Sequence, residues 1–148
     1  MIQIELNQTR LHGGERLPKG LLDRIVVEVS KELSARQRKP VRNISVAFVS
    51  EKEMRKLNLH YRGADRVTDV LSFTLDQPDS FGEIILSYEQ AKRQSKTMKH
   101  SVRSELTFLL VHGLLHVFGH DHVQERDAKK MFPLQTHILE RLGINPKI

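Results

Sequence analysis

Three histidines stand in one short run, Val111-His-Gly-Leu-Leu-His-Val-Phe-Gly-His-Asp-His122. His112 and His116 are four residues apart, so on a helix they project about 40° from each other, on one face. Gly119 can end that helix and turn the chain, letting His122 come back toward the pair. Imidazole nitrogens are zinc ligands, and three of them leave one coordination position for water. That is the layout of a catalytic zinc rather than a structural one. The same ligands also suit nickel, copper and iron. Two blander readings compete: core histidines bonded to backbone carbonyls, and a structural zinc closed by a fourth ligand, for which His120 or Asp121 is the candidate.

The segment around the pair sharpens the choice. From Leu106 to Phe118 the only polar side chains are Thr107, His112 and His116, and the apolar ones are spread around the whole helical circumference. A helix apolar all round is a buried one. Imidazoles inside it need partners, because an unpaired buried polar group costs about 1–3 kcal/mol, and a metal would satisfy both. Ligand spacing and glycine match the metzincin pattern H-E-x-x-H-x-x-G-x-x-H. However, Gly113 occupies the position of that class's general base, so a metallopeptidase reading must explain it. Met131 lies beyond His122 as a metzincin methionine turn would, but it falls on the apolar stripe of the last helix, where core packing is the simpler role. Glu105 shares the stripe of His112 at seven residues, about 10 Å along the axis. That is too far for ligation and suits a helix-start carboxylate. Asp121 either orients a ligand imidazole or stabilises the turn after Gly119.

The elements that must position these groups fit one domain. The chain has 148 residues, enough for a single core, and its 39% hydrophobic and 28% charged content reads as globular. It has no cysteine, which excludes disulfides and thiolate-ligated zinc and fits a reducing cytosol. No run approaches the roughly 20 apolar residues of a membrane span, and the N-terminal residues lack the pattern of a signal peptide. A cytoplasmic location is expected. The net charge of +6 favours a polyanionic partner such as RNA, DNA or a ribosomal surface. Basic residues gather at Arg36, Arg38, Lys39 and Arg42, and again at Lys92, Arg93, Lys96, Lys99 and Arg103. Either group is equally a solvated face. With 5% aromatics and no tryptophan, extended base-stacking platforms are not expected, and contacts to nucleic acid should fall mainly on phosphates.

Alternation predicts strands at Ile2–Leu6, Ile44–Val49, Val70–Leu75 and Gly82–Ser87. Helical spacing predicts helices from Pro18 to about Ala35, over residues 51–60 capped by Ser50 with Glu53 placed for a capping box, over 88–96, from Ser101 to Phe118, and over 124–142. Tyr61 to Arg66 reads as a polar loop and Gln77 to Ser80 as a turn. The expected fold is α+β: a single domain over residues 1–148, with a small mixed four-stranded sheet, about five helices, and a central buried helix presenting His112 and His116 at one end.

Three blocks together carry a resemblance. The run from His112 to His122 is similar to the H-G-x-L-H-x-x-G-x-D-H signature of the YbeY-type rRNA maturation factors. Asn58-Leu-His-Tyr-Arg62 with Thr68-Asp-Val-Leu-Ser-Phe73, and Gly82-Glu-Ile-Ile-Leu-Ser87, resemble that family's other motifs in the same order. The departures are Val67 and Thr74 where proline is common, Glu83 for aspartate and Val117 for leucine. None is an expected ligand. The resemblance implies a metal-dependent, single-strand-specific endoribonuclease domain acting in small-subunit rRNA 3′-end maturation and ribosome quality control. It implies one Zn2+ per chain on His112, His116 and His122, a catalytic Arg62, and RNA rather than DNA or membrane as partner. A non-catalytic ribosome-assembly factor with a structural zinc is the remaining alternative. Arginine suits the expected chemistry, since its planar fork grips two phosphoryl oxygens.

Overall fold

Alternating apolar residues at the start of the chain form strand β1 (Ile2–Asn7), and helix α1 (Lys19–Lys31) follows Pro18 and buries Ile25 and Val29. Strand β2 (Arg42–Val49) buries Ile44, Val46 and Phe48 on one face. Helix α2 (Glu51–Arg62) begins where the Ser50 hydroxyl accepts the Glu53 N–H at 3.1 Å. Strands β3 (Val70–Gln77) and β4 (Ser80–Ser87) make a hairpin. Helices α3 (Tyr88–Thr97), α4 (Val102–Val117) and α5 (Glu125–Arg141) complete the order. The computed structural model describes residues 2–33 and 41–144, with the backbone alone at Asp76. Helix α1 stops short of the expected end near Ala35, with Glu32 as its C-cap, and Ser34, Ala35 and the basic residues Arg36, Arg38 and Lys39 lie outside the described residues. Arg42, the last of that basic group, is a strand residue whose guanidinium stands 4.4 Å from the Phe81 ring centroid.

The sheet is mixed, in the order β1-β2-β4-β3, with β1, β2 and β4 parallel and β3 antiparallel to β4. This is the expected α+β domain, with four strands and five α-helices among the described residues. Central strand β4 is buried on both faces, which suits its continuous apolar run. Ile84 and Leu86 face the main core with α1, α4 and α5, while Ile85 joins Met54 and Leu71 in a smaller cluster under α2. No helix among the described residues is long and apolar enough to cross a membrane.

Helix α4 is enclosed except along the half-buried stripe of Ser104, Phe108, His112 and His116, with Leu106, Leu109, Leu110, Val111, Leu114, Leu115 and Val117 buried. It starts with the Ser101 hydroxyl accepting the Ser104 N–H at 3.0 Å. Two glycines set how closely it lies on the sheet. A Cβ on Gly113 would stand 3.2 Å from two carbons of Ile84, and a Cβ on Gly82 would stand 2.5 Å from Val117 Cγ1 and 3.0 Å from the Phe73 carbonyl oxygen. The Thr74 hydroxyl donates to the Val117 carbonyl at 2.8 Å, satisfying one of the acceptors left open at a helix end.

Two local expectations are corrected. Tyr61 and Arg62 belong to the last turn of α2, not to a loop, because the helix runs to its C-cap at Gly63 (φ 69°). The β3–β4 hairpin is tighter than the turn signals suggest: strand pairing reaches Gln77 and Ser80, with an irregularity after Thr74. Glu105 lies in the first turn of α4, as expected, and is buried there. His100 bonds its Oε1 at 2.8 Å, and Gln94 donates to its Oε2 at 3.1 Å and to Asp69 Oδ2 at 2.8 Å.

Gly82→Ala should lower stability by about 1–3 kcal/mol, since overpacking a stiff, buried valine outweighs the entropy gained by losing a glycine. Urea denaturation of the two proteins measures this; an unchanged midpoint would mean that Val117 yields freely.

Candidate metal centre

His112 lies one turn before the end of α4, and His116 lies in its last turn. The helix closes at Gly119, whose φ of 97° is left-handed backbone that a glycine adopts without a side-chain clash. There the Gly119 N–H donates to the His116 carbonyl, and the His120 N–H donates to the Leu115 carbonyl, both at 2.9 Å. This is a Schellman closure. Asp121 Oδ1 then accepts the backbone N–H of His122 at 2.7 Å and of Val123 at 3.2 Å. Those two bonds hold the Asp121 carboxyl below its ordinary range. Asp121 thus takes the turn-stabilising role.

The chain reversal brings the three rings together. His112 Nε2 and His116 Nε2 are 3.1 Å apart, and one ligand nitrogen from each of His112, His116 and His122 lies within 4.8 Å of the others. His112 and His116 are half-buried, whereas His122 is exposed. Among the described residues neither His120 nor Asp121 joins this group. Three donors without a fourth protein ligand fit an open coordination site better than a closed structural one.

Protonation suits ligation. Burial holds His112 below the ordinary imidazole range, with the charges of His122 and Arg62 acting the same way against the Gln135 bond and the Asp69 charge. Burial first, then His112 and His122, pushes His116 down to about 4. Both rings are therefore neutral near pH 7, which is the metal-binding form. His112 Nδ1 meets Gln135 Oε1 at 2.8 Å. A carbonyl oxygen only accepts, so Nδ1 carries the proton and Nε2 keeps the lone pair that faces His116. His116 Nε2 stands 3.1 Å from that lone pair, and either its own N–H or a cation on the His122 side can meet it. The donor set fits zinc.

Gln135 was not singled out from the sequence. It comes from the middle of α5 and is only 7% exposed. A polar residue four positions after Met131, on the apolar stripe that continues to Ile138, was the available signal. Met131 itself is fully buried, in keeping with core packing. Two phenylalanines also border the cluster. The Phe108 and His112 rings stack at 5.8 Å and 23°, and those of Phe132 and His122 at 5.8 Å and 26°.

Arg62 is the exposed last residue of α2. It lies close enough for its charge to act on both His112 and His116. The loop after it is pinned back on α2: Arg55 grips both carboxylate oxygens of Asp65 at 2.7 and 3.2 Å, and buried Asn58 donates to the Arg66 carbonyl at 3.0 Å. The second basic group lies elsewhere. Lys92, Arg93, Lys96 and Lys99 are exposed on or just after α3, and Arg93 pairs with Glu51.

Gly113 bears directly on the peptidase reading. Its missing side chain would point at Ile84 in the sheet, so a glutamate there would be driven into the core rather than toward the cluster. The class is thus a small α+β protein with three imidazoles converging at the end of its central buried helix. The chain belongs to the Endoribonuclease YbeY family, whose profile matches residues 3–143. It is 36% identical to the Endoribonuclease YbeY of Shouchella clausii, over 97% of both chains. It is 43% identical to that of Oceanobacillus iheyensis, over 68% of this chain and 74% of the relative. A solution structure of a Thermotoga maritima protein is similar with a TM-score of 0.65 and 31% sequence identity, covering 96% of this chain and 89% of that one.

Gln135→Leu should leave the fold intact and weaken zinc binding about 10–100-fold, the usual cost of losing an orienting partner. Competition with a chromophoric chelator measures it; undiminished affinity would show that the His112 tautomer needs no help from Gln135.

Proposed function

We propose that this chain is a zinc-dependent, single-strand-specific endoribonuclease. Its expected role is in rRNA processing at the 3′ end of the small-subunit RNA and in ribosome quality control, in the cytoplasm. The observation that carries the reading is the convergence of three imidazoles, with His112 and His116 held neutral, beside an exposed arginine, in a chain of the Endoribonuclease YbeY family. His112, His116 and His122 would hold one Zn2+. When bound, the ion supplies a Lewis acid for phosphoryl oxygens or a water of lowered pKa.

The chain's own groups supply the rest. Arg62 binds the scissile phosphate and stabilises the charge that develops on its oxygens, a task suited to a permanently charged, bidentate donor. Its place at the end of α2, ahead of the pinned loop, fixes where that charge can stand. Gln135 holds His112 in the tautomer that presents Nε2. The net charge of +6 draws the polyanion toward the site, and this attraction should fall with salt. A Cβ at Gly113 would crowd the Ile84 side chain, a poor position for a peptidase's base.

Cleavage of single-stranded RNA by protein of measured zinc content tests the reading, with His116→Ala and Arg62→Glu purified in parallel. Wild type should cut. His116→Ala should lose zinc and activity, and Arg62→Glu should keep zinc and lose activity by at least about 100-fold, with both variants folded. Equal cutting by all three would expose a contaminating nuclease. No cutting by zinc-loaded wild type would favour an assembly factor, to be pursued by subunit binding.

A further inference from the structure

We propose that Phe132 is a nucleobase-stacking residue that receives an unpaired base next to the scissile phosphate; this rests on the ribonuclease reading above. Phe132 and Gln135 are three residues apart on α5 and so share a face. Gln135 is buried against His112, so Phe132 stands one turn outward, at the rim of the same cluster. Its ring lies against His122 at 5.8 Å and 26°, yet 47% of the residue is exposed. Next to His122, Val123 is 82% exposed. Covering His122 does not require so large an aromatic surface to remain open.

The surroundings select the occupant. A nucleotide joins an anionic phosphate to a flat, apolar-faced base. This rim offers the Arg62 charge at the imidazole cluster and an open ring beside the third imidazole. Bases in a duplex already stack on their neighbours, so only an unpaired base can present its face to a side chain. A single ring is enough for this role, which is compatible with the low aromatic content of the chain. A peptide partner would find the same apolar edge but would gain little from the adjacent cation.

The absence of tryptophan in this chain makes a direct test available. Phe132→Trp creates the chain's single tryptophan at the rim, excited selectively over Tyr61 and Tyr88. Stopped-flow mixing of the zinc-loaded variant with a single-stranded RNA oligonucleotide, read before turnover, should quench its emission; the same sequence annealed into a duplex should not. Phe132→Ala and Phe132→Leu should each bind the single strand about 10-fold more weakly by anisotropy, with zinc content unchanged. The leucine keeps an apolar cover on His122, so its loss of RNA binding separates stacking from packing. Unquenched emission while anisotropy reports bound single strand would overturn the proposal, as would wild-type affinity in Phe132→Leu. Cleavage by wild type with either result sinks the stacking role alone. Quenching and binding without any cleavage sink the ribonuclease reading, and with it the place beside a scissile phosphate, and leave only the stacking of an unpaired base. If wild type binds no RNA, both fall.

Discussion

Helix α4 is apolar around its circumference and therefore has to be enclosed by the sheet, α1, α3 and α5. Such a helix meets water at its ends, and its polar side chains must either be satisfied internally or gather where it emerges. Both solutions are present. At the N-terminal end, buried Glu105 is held by His100 and Gln94, and Gln94 also reaches Asp69 just before β3. At the C-terminal end, His112 and His116 point the same way, and the turn at Gly119 returns His122 to them. The candidate centre is thus a consequence of enclosing one helix and reversing the chain once.

Close packing then fixes where that end lies. Gly113 and Gly82 let α4 settle against β4, and the Thr74 hydroxyl holds the Val117 carbonyl beside them. Thr74 and Val117 meet here. The threonine hydroxyl satisfies an acceptor within the turn that carries His116 and so helps to hold that helix end.

How much of this was legible in the sequence follows from the range of the signal. The buried helix, its Ser101 cap and the histidine spacing are local patterns, and each reappears in the structure within a residue or two. The four strands were readable for the same reason. What failed to show was cross-chain partnership. Glu105 looked like a helix-start carboxylate because its partners, Gln94 and His100, precede it across a turn. In that turn Lys99 takes a left-handed conformation (φ 58°) that sequence patterning rarely signals for lysine. Gln135 looked like one more residue of an amphipathic helix, since its reason for being there lies 23 positions away at His112. Pro133, beside it, stays inside α5 against its own helix-breaking tendency, a case of tertiary packing overriding local preference.

Arg62, expected in a loop, closes a helix instead. A guanidinium on a mobile loop pays a large ordering cost whenever it grips an anion. At the end of α2, the backbone of Arg62 is already fixed by helical bonds, and the segment beyond it is tied down through Asp65 and Asn58. Cations are also favoured at a helix C-terminus, so the position stabilises the free protein while leaving the side chain exposed. Its charge helps to keep His112 and His116 neutral. The same arginine therefore favours the unprotonated form of both imidazoles and stands as an exposed positive charge near them.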